Sequence, residues 1–187
     1  MPTLAWQTPL SVGRVLNHSG EYGDFSFVPA AALTRGVVVH EVTALRDGGM
    51  GPTTIDPAYQ GYLDAYDTFS RQLTPSWSHI EHAFDNLTAQ FHGVVDRVGS
   101  MRGHDRVVLE IKTSKPGNRR DSVQTAAYAC GLYPHAFQDC TRYGLYLADD
   151  GSYTLKTFSD LNDFLVWRSH LEHALEDTHG TPRTRIR

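Results

Sequence analysis

The chain has 187 residues, 40% of them hydrophobic and 20% charged, at 20.9 kDa with a mean hydropathy of −0.38. That is one ordinary domain with enough length to bury a core, too short for two compact domains, and neither a disordered polymer nor a membrane-spanning chain. The formal charge of −4 excludes a protein coated in basic surface. The average hides a local excess, because residues 97–120 hold seven basic residues against two acidic ones, a local +5 that leaves −9 for the rest. Such a segment is either a solvated loop or an anion site, for which a phosphate backbone is the obvious large partner.

The opening residues show no basic start followed by an apolar run, so no secretory signal is read, and residues 1–28 are expected to be an irregular segment. Trp6, Phe25 and Phe27 within it are candidates for stacking on bases as well as for the core. Cys130 and Cys140 alone cannot build a disulfide framework or a four-cysteine cluster, which points to a cytoplasmic compartment and to no iron–sulfur cluster. A helix is predicted from Pro29 to Gly48-Gly49, with Ala32, Val39, Val42 and Leu45 on one face and Gly36 as its weak point. Asp56-Pro57 opens the next, whose Tyr59, Tyr62, Leu63, Tyr66 and Phe69 form an apolar stripe.

After Pro75 the period changes to two. Strands are predicted at Trp77–Phe84, Gln90–Val98 and Arg106–Thr113, the first two joined by a turn at Asp85-Asn86. In the third, Val107, Leu109 and Ile111 face one way and Val108, Glu110 and Lys112 the other. A loop leads to a helix near Asp121 that places Gln124 and Tyr128 one turn apart. A hairpin follows, Arg142–Ala148 with Ser152–Phe158. A last helix, capped by Ser159 or Asp160, runs to Asp177 with Leu161, Phe164, Leu165, Leu171 and Leu175 inward, and residues 179–187 form a loose basic tail.

Asp96 in GVVDRVG and Glu110 in VLEIK lie on adjacent strands, where two carboxylates can reach one hard divalent cation, and Lys112 follows two residues later on the Glu110 face. Such a lysine can hold an attacking water or neutralise charge developing on a phosphoryl group. The alternative is a Glu110–Lys112 ion pair on a solvated strand face. His40, after three valines, is either a core histidine or a ligand, and imidazole suits manganese better than magnesium. Gln124 and Tyr128 can equally be a hydrogen-bonded pair on a packed helix. Glu81 shares a face with His79 and is either an edge polar residue or an accessory ligand. His79 and His82, three apart on a strand, are expected on opposite faces, which leaves no zinc site.

The order RGVVVHE, GVVDR, EIKT and QTAAY, from Arg35 to Tyr128, resembles the PD-(D/E)XK nuclease superfamily, and within it the RecB-like branch that includes phage exonucleases and the nuclease domains of recombination helicases. The resemblance implies an α/β, restriction-endonuclease-like core: a mixed central β-sheet flanked by α-helices, as a single nuclease domain over residues 1–187. It implies Asp96, Glu110, Lys112, Gln124 and Tyr128 as catalytic residues. His40, Asp96, Glu110 and the carbonyl of Ile111 would hold Mg2+ or Mn2+, and Arg35, with Glu41, flanks the histidine. Arg35, Arg97, Lys115, Arg119 and Arg120 are the expected DNA contacts.

The expected activity is a metal-dependent deoxyribonuclease working from DNA ends in phage or bacterial recombination and repair. The chain has no helicase motif and no phosphate-binding loop, so ATP-driven unwinding would come from a partner. A recombination partner protein or self-association is a further expectation, and no membrane is. A structure- or sequence-specific endonuclease of the same fold, and a nucleic-acid-binding module that does not cut, are the competing expectations.

Overall fold

The computed structural model describes residues 8–23, 28–51 and 54–179, so Trp6, Phe25, Phe27 and the basic tail lie outside it. The opening segment is not wholly irregular. A short strand β1 (Leu10–Ser11) runs into a helix α1 (Val12–His18), whose Val12, Val15 and Leu16 are buried at i, i+3 and i+4 and whose Ser11 hydroxyl caps Arg14 N–H at 3.2 Å. Next come α2 (Ala30–Asp47) and α3 (Pro57–Leu73), as the two predicted helices require. Asp56 caps α3 by accepting from Ala58 N–H, and Tyr62, Leu63, Ala65, Tyr66 and Phe69 are buried along it.

Strands β2 (Ser76–Asn86), β3 (Phe91–Met101) and β4 (His104–Lys112) form an antiparallel meander. The first reversal falls at residues 87–90 and not at Asp85-Asn86, because Asn86 stays in the ladder opposite Phe91 and its side chain accepts from Ala89 N–H. Helix α4 (Arg119–Leu132) starts two residues earlier than Asp121, since Asn118 is the capping residue and accepts from Arg120 N–H. It crosses over to β5 (Thr141–Leu147), which pairs parallel with β4, and β6 (Tyr153–Phe158) completes the hairpin before α5 (Asn162–His179).

The result is a mixed six-stranded sheet, β1-β3-β4-β5-β6 with β2 on β3, between two helical layers. Period two in β4 allocates its side chains: Val107, Leu109 and Ile111 pack against α2 and α3, and Val108 joins Val123, Tyr128 and Trp167 on the side of α1, α4 and α5. Leu45, Leu161 and Leu165 are exposed and not inward. In α5 the inward face is carried by Phe164, Trp167, Leu171 and Ala174, which leaves Leu165 on the solvent side. No helix among the described residues is long and apolar enough to cross a membrane.

Candidate functional site

The β3–β4 ladder runs from Met101–His104 to Arg97–Leu109, and beyond that pair Asp96 occupies the fork between the strands. Its Oδ2 accepts Ile111 N–H at 2.6 Å, doing the job of a ladder carbonyl, while Oδ1 faces His40 Nδ1 at 3.3 Å. Burial alone would raise the Asp96 carboxyl. The neighbouring His40 charge and hydrogen bond, with the Ile111 amide, hold it below the ordinary carboxylate range.

Glu110 is also buried, on the α4 side of the fork. Its Oε1 accepts from Lys112 Nζ at 2.7 Å and from Gln124 Nε2 at 2.8 Å; Oε2 is buried with no hydrogen-bond partner. Burial, reinforced by the charge of Asp96 and opposed by Lys112, pushes the Glu110 carboxyl up to about 7. Gln124 Oε1 accepts from Lys112 at 3.2 Å, and Gln124 Nε2 also donates to Tyr128 Oη at 2.6 Å. Gln124, of the pair predicted on one turn of α4, therefore meets the lysine predicted on β4, and Tyr128 joins through Gln124. Asp121, in the first turn of α4 and not among the site residues expected from the sequence, lies 3.9 Å from Lys112 and accepts from Tyr146 Oη at 2.8 Å. Burial pulls Lys112 down, but the Glu110 and Asp121 carboxylates more than offset it and keep the ammonium charged.

On the other side stand His40 on α2 and Glu81 on β2. His40 Nε2 lies 3.1 Å from the Ile111 carbonyl, and Nδ1 lies 3.7 Å from Glu81 Oε1. Burial disfavours the imidazolium, yet Asp96 and Glu81 raise the His40 pKa to about 11. His40, Glu81 and Asp96 offer three ligand atoms within 4.8 Å of one another. This imidazole-plus-carboxylate set and the unpartnered Glu110 Oε2 fit a hard divalent cation, which would take the place of the Nδ1 proton. Glu81 reaches this position because its φ of +46° reverses the strand's alternation. The same kink brings the His79 and His82 rings to 4.3 Å, where regular period two would put them on opposite faces.

The expected DNA contacts divide. Lys115 and Arg119 are exposed, and Arg35 is half-buried with its guanidinium on the Thr113 hydroxyl and carbonyl, both at 3.2 Å. Arg120 Nη2 donates to Asn17 Oδ1 at 3.0 Å and so ties α4 to α1. Arg97 is a correction: its side chain is 0% exposed and bound to Asp47, Glu81 and Thr43, so it cannot lie along a DNA strand. Its partners belong to elements remote in sequence, which the count of basic residues could not reveal.

Among solved structures, LHK-Exo in complex with dAMP covers 91% of this chain and 88% of its own at 14% identity and a TM-score of 0.41. An alkaline exonuclease, LHK-Exo from Laribacter hongkongensis, covers 91% of both chains at 15% identity and a TM-score of 0.32. No curated protein matches. The sequence model of the PD-(D/E)XK nuclease superfamily matches residues 30–186, which takes in His40, Asp96, Glu110, Lys112 and the Gln124–Tyr128 turn, so the chain belongs to that superfamily.

Proposed function

We propose that this nuclease hydrolyses DNA phosphodiester bonds from strand ends with Mg2+ or Mn2+, through Asp96, Glu110 and Lys112. The observation that carries the reading is the Lys112 ammonium, held by Glu110 Oε1 and Gln124 Oε1 beside a second Glu110 oxygen that is buried and unpartnered. His40, Glu81, Asp96, Glu110 and the Ile111 carbonyl would hold the cation. A bound divalent cation acts as a Lewis acid toward the scissile phosphate and lowers the pKa of the attacking water. Lys112 orients that water and balances charge growing on the phosphoryl oxygens, while Gln124 and Tyr128 fix the lysine's carboxylate partner.

Support for end-directed cutting comes from how the described helices are packed. A site-specific endonuclease reads base edges with an element that enters a groove, and α1 to α5 each commit an apolar face to the core. The cations near the site suit a sequence-independent backbone. Arg35 and Lys115 line a cleft of about 410 Å³ with Tyr62, Thr113, Tyr146 and Tyr153, adjoining the lysine end of β4. The expected result is progressive loss of linear plasmid with Mg2+ or Mn2+, none in EDTA, and protection of the covalently closed form. Equal rates on both forms, or discrete bands, favour the endonuclease; activity that survives exhaustive chelation removes the metal mechanism.

A further inference from the structure

Arg97 is a charged side chain that no solvent reaches and that the chemistry proposed above leaves unused. A guanidinium taken out of water is tolerated only where its donors find partners. Nε donates to Asp47 Oδ2 at 2.5 Å and Nη2 to Thr43 Oγ1 at 3.0 Å, both on α2. Nη1 donates to the Asp96 carbonyl at 2.7 Å and to Glu81 Oε1 at 2.9 Å. The Tyr66 hydroxyl donates to the same Asp47 oxygen, and the Tyr66 ring lies 5.9 Å from the guanidinium carbon, so α3 backs the arrangement.

These partners sit on α2, β2 and β3, the three elements that carry His40, Glu81 and Asp96. Glu81 is the member most in need of restraint. It projects from an edge strand with about a third of its side chain exposed and from a backbone at φ +46°, a strained conformation for a non-glycine residue that persists only where its surroundings over-determine it. The backbone turns it inward, and Arg97 Nη1 is a buried donor on its carboxylate there. A planar fork can serve Asp47, Thr43 and Glu81 in three directions at once, which a lysine ammonium on a flexible stem cannot do.

We infer that Arg97 is a positioning residue that holds the Glu81 carboxylate against His40 and Asp96, with Asp47 and Tyr66 locking the guanidinium from behind. The inference rests on the trio's being a cation site. Its test is Mn2+ titration of the full-length, DNA-free protein, with free Mn2+ read by electron paramagnetic resonance. The variants are Asp96→Asn, Glu81→Gln, Arg97→Lys and the Glu81→Gln/Arg97→Lys pair. Arg97→Lys and Glu81→Gln should each weaken Mn2+ binding roughly 10–100-fold, and the double variant no further, since one acts through the other.

Asp96→Asn separates the two levels. Wild-type affinity in that variant, or no Mn2+ binding by the wild type, brings down the cation site itself. With Asp96→Asn weakened, wild-type affinity in Arg97→Lys, even at a lowered melting temperature, overturns the positioning role. So do losses that multiply in the double variant. Should Arg97→Lys fail to fold, Tyr66→Phe removes one hydroxyl behind Asp47 and is read by the same criteria, a several-fold loss absent from the Glu81→Gln background supporting the role and unchanged affinity overturning it.

Discussion

Lys112 and Glu110 are two residues apart, share one hydrogen bond of 2.7 Å, and are asked to do different things. The carboxylate has one oxygen committed to Lys112 and Gln124 and one left over, which is the donor pattern of a ligand. The ammonium has three protons and faces Glu110 and Gln124, with Asp121 farther off, which is the pattern of a charge kept in place for a group that arrives later. Lys112→Ala should therefore cut turnover by at least about 10²-fold, the scale of removing one preorganised charge stabiliser, while Mn2+ binding stays within a few-fold of wild type. Single-turnover kinetics beside a metal titration check it. A variant that loses Mn2+ as severely as Asp96→Asn, or that cuts normally, places the lysine in another role.

At the scale of elements, two helical glycines show how the same substitution takes opposite signs. Gly36 lies in α2 with nothing within 4 Å of where a Cβ would stand, so Gly36→Ala should gain about 1 kcal/mol from helix propensity alone. Gly61 lies in α3 beneath the β5–β6 turn, where a Cβ would come within 1.7 Å of the Asp149 carbonyl oxygen. Backbone cannot rotate aside as a side chain does. Gly61→Ala should thus lose roughly 1–3 kcal/mol despite the better propensity. Urea unfolding of both variants measures the difference, and equal midpoints would mean that the hairpin does not bear on α3. That contact matters to the site because the hairpin and Tyr62 of α3 line the cleft beside Lys112.

At the scale of the whole molecule, the groups that burial holds neutral set the alkaline limit. Burial pushes the Cys130 and Cys140 thiols up to about 11 and raises the Tyr66, Tyr128 and Tyr146 phenols in the same direction. A raised pKa means that the folded state binds the proton more tightly than the unfolded chain. The thiols' contribution is then whole below about pH 9, where an unfolded cysteine titrates, and is lost as pH rises to about 11. The urea midpoint of the metal-free protein should fall between pH 9 and 11, and less steeply in a Cys130→Ala/Cys140→Ala variant. A flat profile, or an unchanged slope in the double variant, shows that the thiols are not coupled to folding.

Elements whose signal is local can be read from the chain alone. The stripe Tyr62, Leu63, Tyr66, Phe69 specifies α3, alternation in RVVLEIKT assigns each β4 side chain to a layer, and the spacing of Gln124 and Tyr128 already faces them together. The order of His40, Asp96, Glu110 and Lys112 was legible only as a resemblance, because the motifs RGVVVHE, GVVDR and EIKT follow one another along the chain as they do in the superfamily. The tertiary structure alone decided where long polar side chains end. Arg97 counts as one more basic residue in a basic segment, yet Asp47, 50 positions away, and Glu81, 16 away, draw it into the interior. Glu81 itself turns inward through one left-handed residue in an otherwise extended strand, a conformation no period encodes. A buried charge is stable only where distant segments bring its partners, so its fate belongs to the assembled fold.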